Sequence, residues 1–212
     1  MPLPTVVTIR HILVETRWIR TFVLDASLPE AEPGQFVMLW LPGVDEKPFS
    51  IARPDPLTLT VARVGPFSTA LHQAREGDRV GIRGPFGRGF SLMEDRPALL
   101  VGGGYGIAPL YFLAVRALER GVPVTVVVGA RRANDLIYVD RFRALGLEPV
   151  ITTDDGSLGM QGTAVDAATG LLREDPFRVL YACGPEPMLV ALVQLCQEDG
   201  VPGQLSVERY MK

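Results

Sequence analysis

The chain has 212 residues, of which 47% are hydrophobic, and it carries a formal net charge of −3. This length suits one large domain or two smaller ones, and the hydrophobic content excludes a mainly disordered protein. The slightly acidic balance gives no electrostatic basis for binding nucleic acid.

The N-terminal residues show no basic segment followed by an apolar one, so no secretory signal is predicted and the cytoplasm is the expected location. Cys183 and Cys196 are the only cysteines. In the cytoplasm we expect them to be thiols, and two are too few to hold a metal cluster. Residues 97–115 carry no charge, but adjacent glycines and Pro109 argue against a membrane span there. No membrane, metal or nucleic-acid partner is therefore predicted.

The first half of the chain reads as short β runs separated by turns. Strands are predicted at 5–9, 18–24, 35–41, 49–53, 57–64 and 78–83, with one helical piece at 68–74. Six closely spaced strands indicate a six-stranded antiparallel β-barrel, which forms a domain of residues 1–94. Residues 84–90, rich in glycine, are expected to form a tight loop between domains.

Two stretches in this half could contact a ligand. Lys47, Pro48, Phe49 and Ser50 offer a cation for a phosphate, a flat ring and a hydroxyl, although Phe49 could equally be a core residue. Ser68 or Thr69 precedes the short helix as an N-cap, or would hold a second phosphate at the helix start.

From residue 95 the pattern changes to alternating strands and helices. Strands are predicted at 98–101, 124–128, 148–152 and 178–182, and helices at 107–120, 133–145, 164–172 and 186–197. This alternation is typical of a doubly wound α/β domain with a parallel sheet, here residues 95–212.

The first strand of this domain leads into Gly102, Gly103, Gly104, Tyr105 and Gly106. Glycines leave backbone N–H groups unshielded, and the following helix N-terminus carries a partial positive charge, so a phosphate would fit here. Parallel sheets bind ligands at this edge. A glycine-rich turn without a ligand is the alternative.

Two more loops follow strands at the same edge. Asp154 and Asp155 could accept hydrogen bonds from ribose hydroxyls and would repel a 2′-phosphate, or they could form a solvated acidic turn. Cys183, Gly184 and Pro185 open the last helix. The thiol could touch a nicotinamide ring or be a small buried apolar residue.

Taken together, these motifs occur in an order that resembles the ferredoxin–NADP reductase superfamily over essentially the whole chain. The acidic loop and residues 206–212 most resemble one branch, the electron-transfer subunits of NAD-dependent dihydroorotate dehydrogenase. The resemblance implies FAD on the barrel and NAD on the parallel sheet. It implies that the FAD-binding residues are Lys47, Pro48, Phe49, Ser50, Val61, Ala62, Arg63, Ser68 and Thr69.

For NAD, the resemblance implies contacts from Gly103, Gly104, Gly106, Ile107, Asp154, Asp155, Cys183, Gly184 and Pro185. Ser50, near flavin N5, and Cys183, beside the nicotinamide, are the implied catalytic residues. The sequence departs from the superfamily pattern at Lys47, usually Arg, at Phe49, more commonly Tyr, and at Tyr105, often aliphatic.

The implied reaction is hydride transfer between nicotinamide C4 and flavin N5, in pyrimidine biosynthesis. Electrons would pass through a 2Fe–2S cluster to a dihydroorotate dehydrogenase catalytic subunit, in a heterotetramer with two copies of each subunit. The four cluster cysteines of this branch would follow Lys212; their absence favours a truncated chain over a protein without a cluster. The alternatives are the flavin subunit of a hydrogenase, sulfide dehydrogenase or NADH–ferredoxin oxidoreductase, and a nucleotide-binding module without turnover.

Overall fold

A computed structural model describes residues 3–207. The chain divides into two compact units, unit 1 ending at Gly89 and unit 2 beginning at Phe90. The expected boundary after Glu94 lies a few residues later. Residues 90–94 pack in unit 2, where the Phe90 ring meets the Tyr181 ring edge-on at 5.8 Å and Met93 N–H donates to the Tyr181 hydroxyl at 2.9 Å.

Unit 1 is a closed six-stranded barrel with the strand order β1-β2-β5-β4-β3-β6, and every pairing is antiparallel. The predicted barrel is confirmed. Its elements are β1 Thr5–Val14, β2 Ile19–Leu24, β3 Phe36–Leu41, β4 Asp45–Pro54, β5 Leu57–Ala62, α1 Pro66–Leu71 and β6 Arg79–Phe86.

Fully buried aliphatic and aromatic side chains fill the barrel, among them Phe22, Leu39, Ile51 and Leu59. Closure removes the free strand edges that would otherwise pair with other chains.

Three strands of unit 1 extend beyond their predicted ranges: β1 continues to Val14, β4 begins earlier, and β6 ends later. β4 begins at Asp45, because the hairpin with β3 continues through the pairs Lys47–Leu39 and Asp45–Leu41. Because the first residues of β4 are polar, the sequence pattern does not indicate that the strand begins there. The expected tight loop at 84–90 is wrong in its first part: β6 continues to Phe86, which pairs with Phe36 and packs ring against ring at 5.9 Å.

Unit 2 is a parallel six-stranded sheet with the order β10-β9-β8-β7-β11-β12, as the α/β prediction required. Its strands are β7 Ala98–Gly103, β8 Val124–Ala130, β9 Val150–Thr153, β10 Met160–Gln161, β11 Val179–Cys183 and β12 Gly203–Ser206. Its helices are α2 Ile107–Glu119, α3 Val139–Ala144, α4 Ala164–Glu174 and α5 Glu186–Asp199. The short edge strands β10 and β12 were not predicted.

The predicted helix at 133–145 is wrong as one element. A 3₁₀ turn covers Ala133–Asp135, and α3 begins only after Tyr138, whose φ of 67° interrupts the helical backbone. The Tyr138 ring is buried, 5.4 Å from the Tyr111 ring and 4.1 Å below the Arg141 guanidinium. Tertiary packing of this ring outweighs the cost of a left-handed tyrosine.

The buried core of unit 2 joins the central strands to α4 and α5, with Leu99, Val127, Leu180 and Leu192 at or near zero exposure. Strands covered on both faces are near-continuous apolar runs, which is the pattern seen at 98–101 and 124–128. Within residues 3–207, no helix is long and apolar enough to cross a membrane.

Candidate functional site

In the sheet of unit 2, strands β8, β9 and β10 lie on one side of β7, and β11 and β12 lie on its other side. The strand order therefore reverses between β7 and β11. Open parallel sheets bind ligands at such a switch point, outside the carboxyl ends of the strands. Gly102 at the end of β7 pairs with Cys183 at the end of β11. The glycine turn and the Cys183, Gly184 and Pro185 segment therefore meet at this point.

Backbone packs directly on backbone where these two segments meet. A Cβ added to Gly106 would lie 2.4 Å from the Cys183 carbonyl oxygen and 2.7 Å from Gly184 Cα. One added to Gly103 would lie 2.9 Å from Pro185 Cδ. Only glycine allows this approach, so both segments are held as one unit.

Gly104 differs from its neighbours because a Cβ there would meet nothing within 4 Å, and its φ is +55°. It faces open space at the start of α2, a helix of 13 residues. The Ile107 side chain is fully buried and its N–H is bonded within the turn to the Gly104 carbonyl. The geometry therefore leaves Gly104 at the open side of the turn and places Ile107 behind it.

Cys183 is buried at the end of β11, with 5% of its surface exposed.

The predicted acidic residues lie on the loop after β9, on the other side of β8 from β7. Asp155 Oδ1 accepts a hydrogen bond from Ser157 N–H at 3.0 Å. Hydrogen bonds from Ser157 hold the pKa of the Asp155 carboxyl below its usual value, so it is ionised at neutral pH. The loop thus presents fixed negative charge at the ligand edge of the sheet.

In unit 1 the predicted residues cluster on β4, its neighbour β5 and α1. The Phe49 ring is half-buried and lies 5.7 Å from the Phe67 ring of α1. Strand pairing puts Lys47 and Phe49 opposite Leu39 and Val37, and alternation puts Pro48 and Ser50 on the other face. The Lys47 ammonium is exposed and lies 2.6 Å from Asp45 Oδ2.

The last two residues of β5 and the residue that follows the strand have different surroundings. Val61 is buried and offers a ligand only its backbone, Ala62 is half-buried, and Arg63 is exposed with its guanidinium 4.5 Å from the Trp18 ring. The Ser68 hydroxyl is buried and accepts hydrogen bonds from Val64 N–H and Gly65 N–H, both at 3.0 Å.

The expected N-cap role of Ser68 or Thr69 is wrong, because α1 begins at Pro66 and its N-cap is Gly65. Ser68 lies in the first turn of α1 and its hydroxyl shapes the loop before the helix, whereas Thr69 is exposed beside it.

Sequence reasoning gave His72 no role, yet it holds α1 to the end of β5. Its buried ring donates from Nε2 to the Val61 carbonyl at 2.9 Å, since a carbonyl can only accept. Burial lowers the pKa of His72 below its ordinary value of 6.5. No local sequence signal separates this histidine from an exposed one. Within residues 3–207, no group of three or more His, Cys, Asp or Glu side chains is arranged to hold a metal ion.

Comparison with known proteins identifies the family. The chain is 40% identical over 213 residues to a protein of Methanocaldococcus jannaschii named a probable dihydroorotate dehydrogenase B (NAD(+)), electron transfer subunit. It is 44% identical over 217 residues to the protein of the same name from Methanothermobacter thermautotrophicus. Each match covers 100% of this chain and 80% of the relative.

The chain belongs to the family of dihydroorotate dehydrogenase B electron transfer subunits. It is an oxidoreductase with the ferredoxin reductase-like FAD/NAD-binding fold. No protein-family model matches the chain.

Solved structures support the ferredoxin reductase-like fold. A structure of the NADH-dependent reduced ferredoxin-NADP oxidoreductase is 31% identical with a TM-score of 0.86, covering 100% of this chain and 78% of that one. A ferredoxin reductase in carbazole 1,9a-dioxygenase is 25% identical with a TM-score of 0.85, covering 98% of this chain and 70% of that one. Residues 208–212, which contributed to the resemblance, lie outside the described residues.

Proposed function

We propose that this chain binds FAD on unit 1 and NAD on unit 2, and exchanges electrons with a dihydroorotate dehydrogenase catalytic subunit. The observation that carries the proposal is the glycine turn packed on Cys183 and Gly184 at the switch point, in a chain of this family. When bound, the two cofactors supply the chemistry, hydride transfer between flavin N5 and nicotinamide C4.

The NAD half of the proposal fits the residues present. Side-chain-free backbone at Gly103, Gly104 and Gly106 admits a pyrophosphate close to the start of α2, whose partial positive charge favours it. Ile107 supports the turn from behind. Gly184 and Pro185 border the nicotinamide, and the thiol of Cys183 lies beside them as a contact to the ring.

At the other end of the dinucleotide, Asp154 and Asp155 accept hydrogen bonds from the adenosine ribose. Their charge disfavours a 2′-phosphate, which supports a preference for NAD over NADP.

The FAD half rests on β4, β5 and α1. Phe49 places its ring against the flavin, Ser50 donates a hydrogen bond near flavin N5, and Pro48 stiffens the strand between them. Lys47 turns from Asp45 to the pyrophosphate as a point charge, which costs little because that ion pair is exposed. Thr69 offers an exposed hydroxyl to the same group, while Ser68 shapes its loop.

The end of β5 completes this surface. Val61 contributes backbone, Ala62 leaves room for the ring system, and Arg63 supplies a cation at the rim.

The partner follows from the names of the relatives. We infer that electrons pass one at a time through a 2Fe–2S cluster to the catalytic subunit that oxidises dihydroorotate. Two copies of each subunit form a heterotetramer, and the pair serves pyrimidine biosynthesis by reducing NAD.

The first test uses the purified chain under anaerobic conditions. We expect it to be yellow from bound FAD, and NADH to bleach the flavin band. A colourless protein that takes up no added FAD would refute the proposal. Co-expression with the catalytic subunit should then give dihydroorotate-dependent reduction of NAD.

A second candidate is the flavin subunit of an NADH–ferredoxin oxidoreductase. The likeness to the NADH-dependent reduced ferredoxin-NADP oxidoreductase structure favours it. Reduction of ferredoxin by NADH, with no dihydroorotate activity in the purified native complex, would select this candidate.

A further inference from the structure

The segment that joins β5 to α1, residues 61–65, includes three of the proposed flavin contacts, Val61, Ala62 and Arg63. β5 ends at Ala62, and Arg63 N–H still donates to the Trp18 carbonyl at 2.8 Å. The rest of the segment runs from the barrel wall to the start of α1. Side chains of α1 therefore decide how this part of the proposed FAD site is held.

Two polar side chains, four residues apart, hold the two ends of this segment. The Ser68 hydroxyl accepts hydrogen bonds from Val64 N–H and Gly65 N–H, both at 3.0 Å. The His72 ring donates to the Val61 carbonyl at 2.9 Å. His72 N–H also donates to the Ser68 carbonyl at 3.0 Å, so both side chains project from one continuous turn of backbone.

The His72 ring is enclosed from its other side by β2. The Arg20 guanidinium donates to the His72 carbonyl at 2.6 Å, and the Phe22 ring lies 6.1 Å from the imidazole. His72 is buried among β2, β5 and α1, with 7% of its surface exposed. Turning the ring away from Val61 would therefore require one of these elements to move.

This enclosure disfavours a second proton on the ring. Burial, together with the cations Arg20 on β2 and Arg63 after β5, lowers the pKa of His72 below its ordinary value of 6.5, although the hydrogen bond to Val61 acts in the opposite direction. When the ring takes up that proton, its Nδ1 becomes a donor and its charge lies buried beside two other cations. Moving into water would relieve the charged ring of both costs.

Resting on the proposed FAD site, we propose that His72 is a positioning residue for FAD: its neutral ring holds the end of β5 in the shape that binds the flavin, and protonation of the ring releases it. FAD binding and proton uptake at His72 then oppose each other, so acid weakens FAD binding. The pyrophosphate of FAD acts in the opposite direction, because an anion favours the charged imidazole. The sign of the pH dependence therefore separates the two effects.

The test measures the dissociation constant of FAD from the full chain, using the fluorescence of the released flavin. For the wild type it should rise about three- to tenfold between about pH 7.5 and 5. His72→Leu removes the donor and should weaken FAD binding about fivefold across this range. His72→Gln keeps a donor that does not titrate, so it should restore most of the binding that His72→Leu loses and show no pH dependence.

The matched control is the same substitution at the other histidine of the chain. The His11 side chain, on β1 in the same unit, is 67% exposed, so His11→Gln should keep the pH dependence of the wild type. Because the chain has two histidines, their imidazole signals can also be followed individually by NMR. By reciprocity, FAD should lower the pKa of His72 and leave that of His11 unchanged, whereas a role in barrel stability alone predicts no change with FAD.

The outcomes separate this inference from the proposed function. FAD binding that does not change with pH, that strengthens in acid, or that keeps the same pH dependence in His72→Gln overturns the positioning role while leaving the FAD site intact. The comparison between the wild type and His72→Gln decides this even where His72→Leu does not fold. A wild-type chain that binds no FAD at about pH 7.5 overturns the proposed function, and the inference with it.

Discussion

Adding a single methyl group at Gly106 should destabilise unit 2 and abolish binding of its proposed ligand. The Cβ of Gly106→Ala would lie 2.4 Å from the Cys183 carbonyl oxygen and 2.6 Å from its carbonyl carbon. Carbon–oxygen contacts normally begin near 3.3 Å, so the two segments must move apart by about 1 Å. Neither neighbour is a side chain that could rotate away. Overpacking of this kind costs about 1–3 kcal/mol, and we expect the free energy of unfolding of unit 2 to fall by about 3 kcal/mol.

Two other glycines provide matched controls for the same added methyl group. Gly170 lies inside α4 with nothing within 4 Å of its Cβ position. Gly170→Ala should therefore stabilise unit 2 by about 1 kcal/mol through helix propensity. Gly104 also has open space, but its φ is +55°, so Gly104→Ala should cost about 1 kcal/mol of backbone strain.

Chemical denaturation can follow the two units separately in one sample. Trp18 and Trp40 both belong to unit 1, so their fluorescence reports its unfolding. Helices α2 to α5 belong to unit 2 and dominate the far-ultraviolet circular dichroism. In Gly106→Ala only the circular dichroism transition should move to lower denaturant, and 5′-AMP binding should be lost. A Gly106→Ala chain as stable as Gly170→Ala would refute the close approach of the two segments.

Three further outcomes are expected. Ser50→Ala should slow flavin reduction by NADH about tenfold, the worth of one hydrogen bond, while FAD stays bound. His72 has a lower pKa folded than unfolded, so the unfolded chain binds the extra proton. The stability of unit 1 should therefore be complete above its ordinary pKa of 6.5 and fall as pH drops below it, and His72→Gln should flatten this dependence. Gly159 has a φ of +70°, and a Cβ there would lie 2.2 Å from the Ile151 carbonyl oxygen, so Gly159→Ala should displace the acidic loop and raise the KM for NADH without changing FAD content.

Each of these three predictions has a control variant or a result that would contradict it. Loss of FAD from Ser50→Ala, instead of slower reduction, would mean that the hydroxyl has another role. For His72→Gln, the control is His11→Gln, because the His11 side chain is 67% exposed. This control should leave unchanged the melting temperatures measured by tryptophan fluorescence between about pH 7 and 5. An unchanged KM in Gly159→Ala would contradict the placement of Asp154 and Asp155 beside the ribose.

Sequence pattern alone determined the fold class, the alternation of strands and helices in unit 2 and the glycine turn. These are local properties: period-2 runs, helical periodicity and glycine clusters each follow from backbone sterics and the burial of one face. The same locality explains the failures. The start of β4 at Asp45 is polar, and the strands β10 and β12 are short. The left-handed backbone of Tyr138 interrupts a helical pattern because burial of its ring outweighs the backbone cost.

Only the tertiary structure decided which residues meet. The packing of Gly106 on Cys183 joins positions far apart in the chain, and no spacing rule predicts it. His72 likewise looks ordinary in sequence. It acquires its role from the Val61 carbonyl of another element. Contacts of this kind depend on the strand order and on which buried polar groups need a hydrogen-bond partner. Both are properties of the folded chain.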